Sequence, residues 1–136
     1  MFPKIIWIAA AGGLGALSRY GIMIFMQKQL PESDWPVGTM TANLLGCFLF
    51  GLIWSLADHE GWGDSGIRII LLTGFIGAFT TFSTYIYETA HYMQRAEYGL
   101  ALGNFVLQNA AGLLTLALGM SLGSKALPPL LHHLGR

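Results

Sequence analysis

The densest run of chemically capable residues in this chain is Thr73-Gly74-Phe75-Ile76-Gly77-Ala78-Phe79-Thr80-Thr81-Phe82-Ser83-Thr84-Tyr85-Ile86-Tyr87-Glu88. Glycine weakens a helix, and Ser and Thr hydroxyls compete for its backbone groups. So dense a cluster predicts a helix break between about Gly77 and Thr84, with a continuous but kinked helix as the plainer alternative. Inside lipid, carbonyls freed by a break must be satisfied by protein, water or a cation. Phe82, Tyr85 and Glu88 follow at spacings of three, so two rings and a carboxylate share a face where the helix resumes. An aromatic ring has a negative face and a positive edge. Edges turned into a cavity attract an anion without a full charge. A packing stripe is the usual meaning of such spacing; the adjoining break and the terminal acid favour the anion.

Two further polar stripes accompany that run. Thr39, Asn43 and Gly46 fall on one helix face, and Thr41 falls off it. Asn supplies two N–H donors and a carbonyl; taken alone, Asn43 is read as a helix–helix hydrogen bond. Asn104, Gln108, Gly112, Thr115 and Gly119 form the second stripe, at spacings of four, four, three and four. One buried amide is usually glue, whereas two a turn apart, continued by small residues, suit a wet groove. Arg19 and Glu88 are the charges most embedded in apolar sequence. Each is a functional candidate, weighed equally against snorkelling for Arg19 and an interfacial or paired position for Glu88.

Other signals are weak. Gly12-Gly13-Leu14-Gly15-Ala16 lacks the strand and full glycine pattern of a dinucleotide loop, and is read as close packing. Gly99-x-x-x-Gly103 and Gly119-x-x-x-Gly123 are small-residue packing pairs. His59, His91, His132 and His133 show no metal spacing beyond the adjacent tail pair, and no nucleophile–base constellation exists, so no enzyme is expected. The lone Cys47 excludes an intrachain disulfide framework.

These residues need elements to hold them, and composition says which kind. Of 136 residues, 54% are hydrophobic and only 10% charged, against roughly 25% charged in a soluble domain. Mean hydropathy is +0.55. That is too little polar surface for a soluble enzyme. A net charge of zero leaves no basic footprint for nucleic acid. The expected class is an all-α membrane protein, a single membrane domain with spans at about 5–26, 37–57, 67–93 and 98–122 and a short interfacial tail at 123–136. Trp7, Trp35, Trp54 and Trp62 fall near segment ends, at headgroup level. Lys4, Arg68, Lys125 and Arg136 lie on the side of the termini, Lys28 and Arg95 on the other. The positive-inside preference is therefore weak, which fits either simple loss of bias or a chain that inserts both ways and pairs head to tail.

Taken together, the motifs resemble the small fluoride channels of the CrcB/Fluc family over nearly the whole chain. The carriers are Gly12-Gly13-Leu14-Gly15-Ala16-Leu17-Ser18-Arg19-Tyr20, Pro36-Val37-Gly38-Thr39-Met40-Thr41-Ala42-Asn43-Leu44-Leu45-Gly46, and the specific run Thr73 to Thr84 followed by Glu88. The resemblance implies an antiparallel, dual-topology homodimer of four-helix subunits in the bacterial inner (plasma) membrane, with two fluoride pores. A structural sodium ion would sit at the dimer centre on backbone carbonyls of Gly77 and Thr80. Asn43 and Phe82 would contact fluoride, on a pathway that also takes in Thr39, Thr81, Ser83, Tyr85, Asn104 and Gln108, with Gly112 continuing the track. Arg19 would sit near the vestibule and Glu88 near the end of the path. Two features depart from the family: Tyr85 stands where members commonly carry a second Phe, and the fourth-helix track carries two amides where some members have hydroxyls.

The activity this implies is passive fluoride export, without catalysis. A small proton-coupled multidrug exporter is the alternative; it wants a central carboxylate, and the only candidate, Glu88, comes late in its span. A non-transporting assembly subunit is the third reading.

Overall fold

The computed structural model describes residues 2–59 and 66–126. Four helices, α1 to α4, are long and apolar enough to cross a membrane, and no strand occurs among the described residues. α1 is Phe2–Gln29 and α2 is Val37–His59. α3 covers Gly66–Gln94 in two halves, and α4 is Tyr98–Ala126. Each helix overruns its expected span by a few residues, because polar end residues such as Lys28 and Gln29 still satisfy the backbone helically beyond the apolar stretch. Residues from 127 onward, with His132, His133 and Arg136, lie outside the described residues, as does most of the second link, with Trp62.

Chain chemistry sets the helix ends. Pro36 opens α2: its carbonyl accepts from Met40 N at 2.9 Å, and having no N–H it cannot continue a helix backward. The end of α3 is closed by bonds from Glu97 N to Tyr92 O at 2.9 Å and from Ala96 N to Met93 O at 3.1 Å. That closure needs a left-handed residue, and Ala96 supplies it at φ 57°.

Small residues bring the helices together. α2 runs along α4, where a methyl on Gly119 would enter the Phe48 carbonyl and one on Gly51 the Leu116 carbonyl. α1 lies against the first half of α3, where a methyl on Gly15 would enter the Phe75 carbonyl. With lipid as apolar as leucine, such backbone contact is what packing in a membrane rests on. Gly13 and Gly99 have open space around them, so only part of each glycine motif packs. The outer faces carry Leu14, Leu17, Leu113 and Leu114, all exposed. Of the interfacial tryptophans, Trp54 stacks under the Arg68 guanidinium at 3.7 Å and Trp35 covers Gly103.

α3 is not one helix. Gly66–Ile69 is α-helical, Ile70–Ile76 is wound as a π-helix, and Gly77–Phe79 adds one tight turn. The chain is then extended at Thr80 (φ −85°, ψ 158°) and Thr81 (φ −144°, ψ 115°) before Phe82–Gln94 resumes the helix. The break falls inside the expected window. The π stretch has no expectation to match: Thr73 and Gly74 within it weaken a helix, but no residue type announces the wider winding.

Candidate ion site at the broken helix

Why does the chain stay extended at Thr80 and Thr81? Asn43 of α2 grips the Thr81 backbone from both sides. Its Oδ1 accepts from Thr81 N at 2.8 Å, and its Nδ2 donates to Thr81 O at 3.1 Å. In a continuous helix Thr81 N would donate to the Gly77 carbonyl. The amide thus takes that donor away and frees the Gly77 carbonyl. Thr81 also caps the second half of α3: its Oγ1 accepts from Thr84 N at 3.3 Å and donates to Thr84 Oγ1 at 2.9 Å. Thr80 Oγ1 donates to Ile76 O at 3.1 Å. Gly46 makes room for this geometry, because a methyl there would enter the Thr80 side chain.

From Asn43 a row of hydrogen bonds crosses the bundle. Asn43 Nδ2 donates to Gln108 Oε1 at 2.9 Å, Gln108 Nε2 to Asn104 Oδ1 at 2.8 Å, and Asn104 Nδ2 to Thr89 Oγ1 at 2.8 Å. Thr89 Oγ1 then donates to Tyr85 O at 2.9 Å. Asn104 is wholly buried. The fourth-helix stripe therefore faces α2 and α3 within the subunit, with its amides bonded to protein.

Beside the break opens a cavity of about 410 Å³. Asn43, Thr80, Thr81, Phe82, Tyr85, Gln108 and Asn109 line it together with Cys47 and apolar residues, and no charged side chain does. Phe82 is 75% exposed and Tyr85 only 5%. Their rings are 5.8 Å apart and tilted by 55°, so the edge of one is offered beside the other. Tyr85 Oη accepts from Asn109 Nδ2 at 2.8 Å.

Glu88 stands apart. Each step of three residues falls about 60° short of a full turn, so Phe82 and Glu88 end up about 120° apart around the helix. Glu88 Oε1 accepts from Thr39 Oγ1 at 2.6 Å, and its buried Oε2 has no partner among the described residues. Glu88 lines two other cavities, of about 240 and 270 Å³, shared with the link between α1 and α2. Arg19 reaches the break instead, where Nη1 donates to Thr80 O at 3.3 Å. Ser83 is exposed, and its hydroxyl bonds to no described residue.

The structure thus gathers Asn43, Thr81, Phe82, Tyr85 and Gln108 around one cavity, with Asn104 behind them, Arg19 on the Thr80 carbonyl, and Thr39 with Glu88 farther along. Sequence reasoning missed Asn109, which lies one residue off the Asn104–Gln108 face; its amide inside an apolar span was the available signal. Thr89 carries no expectation either, although it lies four residues after Tyr85, the spacing of its bond. Among the described residues no three His, Cys, Asp or Glu gather, so any ion held at the break would rest on backbone oxygens and neutral donors.

Four apolar spans with a donor-lined opening halfway along one of them define a multi-pass integral membrane protein. Residues 6–120 match the family described as CrcB-like protein, Camphor Resistance (CrcB). The chain belongs to that family. It is similar to the "Fluoride-specific ion channel FluC" of Nitrosococcus oceani, 44% identical over 122 residues, which is 90% of this chain and 97% of that protein. The protein of the same name from Desulforapulum autotrophicum is 42% identical, covering 90% of this chain and 98% of its own length. A third, from Salinibacter ruber, is 40% identical over 85% of this chain and 86% of its own.

Proposed function

We propose that this chain is a fluoride-selective channel that lets the anion leave the cell passively across the bacterial inner membrane, two copies assembling antiparallel with two pores between them. The observation that carries this reading is the break at Thr80 and Thr81 opening on a mid-span cavity lined by amides, hydroxyls and ring edges with no fixed charge. The names of the relatives point the same way.

The chemistry follows from the ion. Fluoride is small and tightly hydrated, so a pore must replace lost water with N–H and O–H donors and positive ring edges. Neutral donors bind without trapping, and conduction requires that the ion also leave. Phe82 and Tyr85 offer edges, and Gln108 keeps one N–H beyond its bond to Asn104. Asn43 shapes the site through its hold on Thr81.

A second copy is part of the proposal. Phe82 at 75% exposure and an exposed Asn109 lie mid-span, where another subunit would cover them and close the cavity. The weak charge bias of the loops permits both orientations. A structural sodium ion fits the break in kind: the freed Gly77 carbonyl and the Thr80 carbonyl, which accepts one long bond from Arg19, are hard oxygen donors. Gly77 and Thr80 of both copies would hold it. When bound, it would supply positive charge that offsets part of the cost of an anion in low dielectric.

Purified protein in liposomes, read with a fluoride electrode, should release fluoride electrogenically without a pH gradient and should not release chloride. Absence of fluoride efflux would leave the assembly-subunit reading. Transport of cationic dyes driven by protons would favour the exporter, whose carboxylate the cavity lacks.

A further inference from the structure

Counting protons separates the donors around the cavity. Both N–H protons of Asn43 are used, on Thr81 O and Gln108 Oε1. Thr81 spends its N–H on Asn43 and its hydroxyl on Thr84. The Thr80 hydroxyl goes to Ile76 O. Gln108 gives one N–H to Asn104 and keeps the other, and among the lining hydroxyls that of Tyr85 differs. Its oxygen accepts from Asn109 Nδ2 at 2.8 Å, while its own proton goes to no described residue. Asn109 is held in turn, because Nδ2 also donates to Phe105 O at 2.7 Å, one turn back on α4.

An N–H that donates to a hydroxyl oxygen has two effects. It occupies the oxygen as an acceptor, leaving the O–H free to donate elsewhere. It also polarises that O–H, which strengthens it as a donor in a low-dielectric setting. Asn109 is exposed mid-span, where an amide facing lipid would be costly, so this face belongs to a wet or covered place.

We propose that Asn109 is a positioning residue for the anion path: it fixes the Tyr85 hydroxyl as an oriented donor for a partly dehydrated fluoride, a station that a phenylalanine at that position would lack. The proposal rests on the fluoride-channel reading. Tyr85 is the residue that touches the ion, and Asn109 acts through it.

The test uses the full chain and four versions: wild type, Tyr85→Phe, Asn109→Ala and the double variant. Fluoride efflux from liposomes is measured with a chloride control, and the near-UV tyrosine difference spectrum on adding sodium fluoride, against sodium chloride, is read in detergent. Tyr85→Phe should lower efflux about tenfold, the scale of one hydrogen bond to a charged partner. Asn109→Ala should lower it in the wild-type background and add nothing in the Tyr85→Phe background. The fluoride-dependent tyrosine signal should vanish in Tyr85→Phe. Efflux unchanged by Tyr85→Phe overturns the station and leaves the channel standing. Equal losses from Asn109→Ala in both backgrounds overturn its positioning role. No efflux from wild type, with a tyrosine signal that Tyr85→Phe removes, overturns the channel and keeps the site. Neither efflux nor signal overturns both. Should Asn109→Ala not fold, wild type against Tyr85→Phe still decides the station by spectrum and flux.

Discussion

Asn43 spends both amide protons on protein, and so holds the backbone that lines the cavity. Its amide matches the N–H and C=O of a single residue, Thr81, as a neighbouring strand would, and holds an extended turn open inside a helix. Asn43→Asp keeps the shape but replaces the donor with a second acceptor, which repels both Thr81 O and Gln108 Oε1. Fluoride flux should fall by about tenfold or more, as for loss of a charged-group hydrogen bond; liposome efflux checks this, and wild-type rates would remove Asn43 from the site. Phe82→Ile should also lower throughput, by removing a ring edge that stands beside Tyr85. Equal rates would count against ring edges as anion contacts.

At the scale of elements, strain and close approach make separate predictions. Ala96 adopts φ 57° to close α3, a conformation that costs an L residue about 1 kcal/mol or more and glycine nothing. Ala96→Gly should therefore stabilise the fold by about 0.5–1 kcal/mol after the added chain entropy; a thermal melt in detergent by circular dichroism would show a higher midpoint. Gly46→Val should lower the midpoint and reduce flux together, because the new side chain must displace Thr80 at the break. Four spans were legible in the sequence because apolar length is a strong, local signal. The break was legible because Thr80, Thr81, Ser83 and Thr84 all favour other backbone partners. The π stretch was not, since Thr73 and Gly74 within Ile70–Ile76 weaken a helix without specifying a wider winding. Neither was the separation of Glu88 from Phe82, a drift that spacings of three accumulate unnoticed. Which amide would meet which could not be read either: Asn43 and Gln108 are 65 residues apart.

For the molecule as a whole, Phe82 and Asn109 stand exposed mid-span, where a second copy of either orientation could meet them. Lys4, Arg68 and Lys125 on one side and Lys28 and Arg95 on the other leave orientation nearly unbiased. Adding two lysines to the link at Arg95, or two beside Lys4, should lock opposite orientations. Each variant alone should lose flux, and co-expression of the two should restore it. Full activity of either variant by itself would exclude an antiparallel pair.

The row that starts at Thr81 N runs through Asn43, Gln108, Asn104 and Thr89 and returns to the Tyr85 carbonyl, so it begins and ends on the same helix. All five donations point one way round. Such a circuit fails like a string of lamps wired in series: the first gap strands its neighbours, and a second gap takes little more. Gln108→Ala and Asn104→Ala combined should thus destabilise scarcely beyond the worse of the two alone, a coupling on the order of 1 kcal/mol in a double-mutant cycle.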